Sequence, residues 1–120
     1  MKLNHLNLPV TNVVEAIQFF EAYFNFKCIE VKGDNLVAVL NGADGFELVL
    51  MSATMNKNEN TSYPDAFHIG FMMDSTDKVN EVYQKLKAGG VVLEREPKKI
   101  RDSYGFYFHF ENILIEIGTI

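Results

Sequence analysis

Residues 67–73 read FHIGFMM, and the fold follows from what surrounds this stretch. Strand side chains alternate between faces, so Phe67, Ile69 and Phe71 point one way while His68 and Gly70 point the other. An ionisable side chain in an otherwise apolar strand marks a second face with a use of its own. The pattern has a counterpart near the start of the chain. Residues 3–8, LNHLNL, alternate in the same way, with His5 in the place that His68 holds at an offset of 63 residues.

The elements around the two histidines repeat as well, and a repeat outranks any single motif. Pro9 closes the first strand before TNVVEAIQFFEAYFNF, where Val13, Ala16, Ile17, Phe20 and Phe24 recur at helical spacing and Thr11 or Asn12 stands at the capping position. Three strands are expected next, KCIEV at 27–31, LVAVL at 36–40 and FELVLM at 46–51, with GDN and NGADG as turns. After FHIGFMM a helix is expected from about Ser75, with Val79, Val82, Tyr83 and Leu86 as its apolar stripe and Gly89-Gly90 as its end. Part of VVLEREPKKI, then YGFYFHF and ILIEIGTI, supply three further strands. Residues 52–65, SATMNKNENTSYPD, are polar and read as a linker or mobile loop. The expected fold class is therefore α+β: one domain over 1–120, made of two βαβββ halves at about 1–51 and 66–120, each a curved mixed sheet with a helix on its outer face.

Composition excludes several function classes. At 120 residues and 48% hydrophobic content, the chain is long enough to bury a core without disulfides or structural zinc. Its one cysteine, Cys28, cannot build a multi-cysteine metal site, reads as an inert side chain, and fits a reducing compartment, with the cytoplasm as the expected location. The N-terminal stretch MKLNHLNLPV is broken by Asn4, His5 and Asn7, and no 18-residue apolar run occurs, so no membrane partner is expected. The net charge of −5 and the short basic cluster Lys98, Lys99 and Arg101 argue against nucleic acid.

The last strand of each half carries a glutamate between apolar neighbours, Glu47 in GFELVLM and Glu116 in ILIEIGTI. Alternation puts both on the face that carries His5 and His68, away from the helices. A dry, unpaired carboxylate is costly, so these must be wet, hydrogen-bonded or bound to a cation. Two imidazoles and two carboxylates suit a divalent ion, and would leave room for water or substrate. Either histidine alone would read as a packing residue; the four together point to metal. Tyr107 and His109 share one face of YGFYFHF, where they could line a substrate pocket or simply pack. His109 could also be a ligand or a proton carrier. Arg101 is placed to clamp an anionic group, or stands in a solvated loop.

The segments NHLNLPVTNVVEAIQFFEAYFNF and FHIGFMMDSTDKVNEVYQKLKAGG, with GFELVL and LIEIG, resemble the vicinal oxygen chelate superfamily of glyoxalase I, extradiol dioxygenases and fosfomycin or bleomycin resistance proteins. The resemblance covers nearly the whole chain. It implies paired βαβββ modules with metal ligands on the first and last strand of each half, which here fall on His5, Glu47, His68 and Glu116. An acid at the position of Glu47 is similar to glyoxalase I. On that likeness the chain would be a metal-dependent lyase or isomerase acting on a small oxo or hydroxy-carbonyl compound, with Glu116 as base and Glu47 its counterpart. The cation could be nickel, zinc, iron, cobalt or manganese. LVLMS after Glu47 and LNLPV after His5 depart from the glutathione-binding residues of glyoxalase I. KKIRDSYGFYF resembles the substrate-facing region of fosfomycin resistance proteins, with Tyr107 at a substrate-site tyrosine, so a resistance-type binding or thiol-transfer protein is the alternative. A ring-cleaving dioxygenase, which needs only His5, His68 and Glu116, is a third. The resemblance also implies a homodimer.

Overall fold

Each half of the chain starts with a strand whose apolar side is turned inward, buried at Leu8 and Val10 in the first half and half-buried at Ile69 and Phe71 in the second. The computed structural model describes residues 1–60 and 62–119; Thr61, in the expected linker, and Ile120, at the end of the expected last strand, lie outside the described residues. The chain divides into two units, Met1–Thr61 and Ser62–Ile120.

In the first unit β1 (His5–Val10) leads through α1 (Val13–Phe24) to β2 (Lys27–Lys32), β3 (Val37–Asn41) and β4 (Glu47–Ser52). The sheet order is β1-β4-β3-β2, with β1 and β4 parallel and the other pairs antiparallel. Asn12 is the cap of α1: its side chain accepts a hydrogen bond from the Glu15 N–H at 3.0 Å. Asn25 ends the helix in the left-handed conformation at φ 57°, which asparagine tolerates better than most residues. Val13, Ala16, Phe19 and Phe20 of α1 are buried with Leu8, Leu40, Leu48 and Leu50 of the sheet. Phe19 belongs to this core although it lies outside the expected stripe, and its ring meets Phe20 edge-on at 5.2 Å. Pro9 does not close β1, which runs on to Val10. A residue without an N–H is tolerated there because β1 is the edge strand of its sheet.

The second unit repeats this plan with β5 (His68–Met73), α2 (Thr76–Ala88), β6 (Lys98–Ile100), β7 (Ser103–Phe110) and β8 (Ile113–Thr119), in the order β5-β8-β7-β6. Again the first and last strands are parallel. Ser75 caps α2 by accepting from the Lys78 N–H at 3.2 Å, and Gly89 and Gly90 end it. Val79, Tyr83 and Leu86 are buried with Phe106, Phe108, Ile113, Ile115 and Ile117. Of VVLEREPKKI only Lys98–Ile100 is strand. The segment before it is diverted at both ends, since the Val91 N–H closes the end of α2 on the Leu86 carbonyl and Pro97 lacks a donor. Gly105 is fixed by β8: a Cβ there would run into the Ile117 carbonyl oxygen and lie 2.7 Å from the Gly118 Cα.

Between the units the chain is not wholly irregular. Ser52 belongs to β4, and Ala53–Met55 form a 3-10 turn capped by the Ser52 hydroxyl, with Ala53 buried. Farther on, the Tyr63 ring stacks on Phe67 with centroids 4.9 Å apart, and so anchors the entry to β5. Burial, assisted by the nearby charge of Glu111, pushes the Tyr63 phenol up to about 12. In the unfolded chain it would ionise near its ordinary value of 10.0. The contribution to stability is therefore complete below that value. It is lost between pH 10 and about 12, where the unfolded state gives up the proton first. Tyr63→Phe is expected to flatten the loss of stability across that alkaline window, read by urea unfolding at successive pH values; an unchanged slope would count against this assignment.

Candidate metal and substrate site

The face of each sheet opposite its helix carries the polar residues singled out above. In the first unit His5 and Glu47 are the opening residues of β1 and β4 and are direct partners in the parallel pairing. Asn4 serves both. Its carbonyl accepts the Glu47 N–H at 3.0 Å, and its side-chain oxygen lies 3.0 Å from the His5 Nδ1. An amide oxygen can only accept, so Nδ1 carries a proton and Nε2 is the ring nitrogen left to face away from Asn4.

The second unit reaches the same chemistry from a different register. His68 is opposite Leu114, while Glu116 is opposite Gly70, one pleat farther along. The two pairs are thus not at matching places in their sheets, as a strict repeat would have them. Gly70 places no side chain in this row, and a Cβ there would be in ordinary contact, 3.4 Å, with the Glu116 Oε1. The His68 Nε2 and Glu116 Oε1 are 3.5 Å apart. The His68 Nδ1 lies 3.0 Å from the Ala66 carbonyl oxygen, again an acceptor and nothing else, so this ring too carries its Nδ1 proton inward and directs Nε2 at the carboxylate. A lone pair facing a carboxylate is repulsive unless a proton or a cation stands between them. The donor set and its orientation by hydrogen-bonded oxygens therefore fit a divalent cation, with the Nδ1 contacts in the role that outer partners play for ligating histidines.

Tyr107 joins this pair. It is the partner of Glu116 across the β7–β8 pairing, and its ring meets that of His68 edge-on at 5.8 Å. Burial raises its phenol pKa, the hydrogen-bonding contact with Glu116 and that carboxylate's charge raise it further, and the Arg101 charge partly opposes them. Arg101 itself sits in the turn before β7, exposed and in the left-handed conformation at φ 54°. His109 is exposed on the same face as Tyr107 but is separated from His68 by Leu114, two strand spacings or roughly 10 Å away. The structure thus brings His68, Glu116 and Tyr107 together and leaves His109 outside that cluster. Among the described residues no three His, Cys, Asp or Glu side chains gather to hold a metal ion; each unit supplies a pair.

Beside Tyr107 and His109 opens a cavity of about 440 Å³, bordered also by Arg95, Lys98, Ile100 and Leu114. It exists because β6 pairs with only Ser103–Gly105 at the start of β7, so the segment 92–96 runs past the rest of that strand without joining it. Sequence reading missed Asn4, Ala66 and Arg95. Nothing in residue type marks a backbone carbonyl, although the oxygen acceptors lie one and two residues before the two histidines.

The model of the Glyoxalase/Bleomycin resistance protein/Dioxygenase superfamily matches residues 2–114. Among solved structures, one described as a possible glyoxalase from Bacillus cereus is 38% identical, with a TM-score of 0.82 over 98% of this chain and 97% of that chain. The genomically encoded fosfomycin resistance protein FosX from Listeria monocytogenes is 23% identical, with a TM-score of 0.74 over 100% and 93%. A lactoylglutathione lyase from Agrobacterium tumefaciens is 15% identical, with a TM-score of 0.73 over 98% and 92%. No curated protein matches the chain.

The oxygen acceptors at Nδ1 make a prediction of their own. In the metal-free protein at a pH where the imidazoles are neutral, long-range proton–nitrogen NMR correlations should show His5 and His68 as Nδ1–H tautomers, and Asn4→Ala should relax the preference for His5 alone. Nε2–H forms at both rings would refute the inferred orientation.

Proposed function

The chain belongs to the Glyoxalase/Bleomycin resistance protein/Dioxygenase superfamily, and we propose that it is a glyoxalase-like, metal-dependent lyase or isomerase of a small oxo or hydroxy-carbonyl compound. The observation that carries this reading is the His68–Glu116 pair, 3.5 Å apart with the imidazole Nε2 turned to the carboxylate. Three further features support it: the His5–Glu47 pair on the corresponding face of the first unit, the superfamily's typical dependence on metal, and likeness to a possible glyoxalase. On this reading His5, Glu47, His68 and Glu116 hold the cation, which is nickel, zinc, iron, cobalt or manganese, and the two units make up one domain.

A bound divalent cation would polarise a substrate carbonyl. The rest falls to the chain. Glu116 takes a proton from the carbon next to the carbonyl and returns it to the neighbouring carbon, so substrate and product have the same composition. Glu47 is the second carboxylate. Tyr107 and the cavity beside it hold the body of the substrate, with Arg101 and His109 at its margin. The residues after His5 and Glu47, Leu6 to Pro9 and Leu48 to Ser52, offer no charged side chain to glutathione, so a substrate that does not need it fits better. The protein is proposed to work in the cytoplasm as a homodimer.

Metal-stripped protein should gain thermal stability on addition of nickel, zinc, cobalt or manganese, by about 2.7 kcal/mol at a hundredfold excess over Kd. No gain with any of these ions removes the basis of the proposal. Glu116→Gln should lower turnover of a small 2-oxo compound by roughly 10²–10⁴-fold, with a smaller effect on substrate binding. Light scattering at micromolar concentration should give the mass of two chains, and a single-chain mass would contradict the homodimer.

A second reading, a resistance-type binding or thiol-transfer protein, is favoured by the size of the cavity, which would seat a drug-sized ligand. It differs in being indifferent to Glu47→Ala, whereas the lyase loses a ligand and a carboxylate by that change.

A further inference from the structure

Two strands hold Glu116 between them very unequally. On the β5 side its neighbour is Gly70, which has no side chain to restrain a carboxylate. On the β7 side its neighbour is Tyr107. The tyrosine is not needed for the core: it is 38% exposed, while Phe106 and Phe108 on either side anchor the strand at 2% and 4%. Its ring lies instead against His68, edge-on with centroids 5.8 Å apart.

We propose that Tyr107 is the positioning residue of the His68–Glu116 pair, its hydroxyl donating to the Glu116 carboxylate while its ring braces the His68 imidazole. This rests on the reading of His68 and Glu116 as cation ligands. A glutamate side chain has three rotatable bonds, and with glycine on one side nothing else in its cross-strand row limits them. A phenol that holds the carboxylate and touches the imidazole sets the separation and aim of both ligand atoms before a cation arrives. Because Tyr107 also borders the cavity, the residue that fixes the pair is one that a bound substrate would touch.

Two measurements test the proposal. In metal-free crystal structures of the wild type and Tyr107→Phe, the Glu116 carboxylate is expected to leave the His68 Nε2 by about 1 Å or more in the variant, as a change of rotamer would require. A carboxylate that stays in place overturns the proposal. In cobalt(II) titrations followed by visible absorption, Tyr107→Phe should bind roughly 10–100-fold more weakly and with an altered spectrum. Tyr104→Phe, which loses the hydroxyl bonded to Asn80 from the same strand, should match the wild type. Equal affinity and spectrum in Tyr107→Phe and wild type also overturn it. A wild type that takes up no cobalt, zinc or nickel overturns the cation reading of the preceding subsection, and the metal-free structures still decide the role of Tyr107.

Discussion

Within each unit the first strand pairs in parallel with the last, and the site depends on that pairing. A parallel pair cannot be closed by a tight turn and needs a long connection. Here the connection holds the helix and two further strands, so the last strand comes back beside the first with the helix lying on one face. That order fixes which face is covered. Alternate residues of β1, β4 and β8 are buried, Leu8 and Val10, Leu48 and Leu50, and Ile113, Ile115 and Ile117, those of β5 are half-buried, and the residues between are turned to the other side. A histidine in the first strand and a glutamate in the last, far apart in sequence, become neighbours on the uncovered face with no loop to place them. Rigid strands hold side chains more closely than loops do, which suits a site that must present two donors to one point.

The tautomer of the histidines follows from the same arrangement. His5 opens β1 and His68 opens β5, so the acceptors that reach their Nδ1 atoms come from residues just outside the two strands. Asn4 and Ala66 offer those oxygens to Nδ1 from a side chain and from the backbone respectively. Different groups thus produce one result, an Nδ1 that holds its proton and an Nε2 left free of those oxygens.

Period-two alternation made much of this legible in the sequence. It assigned Phe67, Ile69 and Phe71 to one side and His68 and Gly70 to the other, and it separated Glu47 and Glu116 from their apolar neighbours. Both helices were legible because their caps, Asn12 and Ser75, precede clear apolar stripes. What resisted reading was set by pairing between distant strands. The shift of Glu116 from the level of His68 to that of Gly70 depends on how β8 lies against β5, and a one-residue change of register reverses every face. Pro9 misled for the same reason: whether a proline ends a strand depends on whether that strand is at an edge, which is a property of the sheet. The cavity beside Tyr107 arises from the early end of β6, and no residue in VVLEREPKKI announces where a strand stops short of its partner.

The unequal surroundings of the two carboxylates bear on their division of labour. Glu47 stands in a row between His5 and Asn41, with a side chain on each side at the spacing of adjacent strands. Glu116 stands between Tyr107 and Gly70, with its histidine on the diagonal. A ligand that only has to hold a cation is best flanked by side chains, as Glu47 is in its row. A carboxylate that must also carry a proton between adjacent carbons needs somewhere to move and a partner to bring it back. Gly70 puts no side chain in that row and Tyr107 supplies the resting position, so on the proposed reading the asymmetry between the two units makes Glu116 the base and Glu47 the second ligand. A perfectly symmetric repeat, with a side chain on both sides of each acid, would have no such distinction to offer.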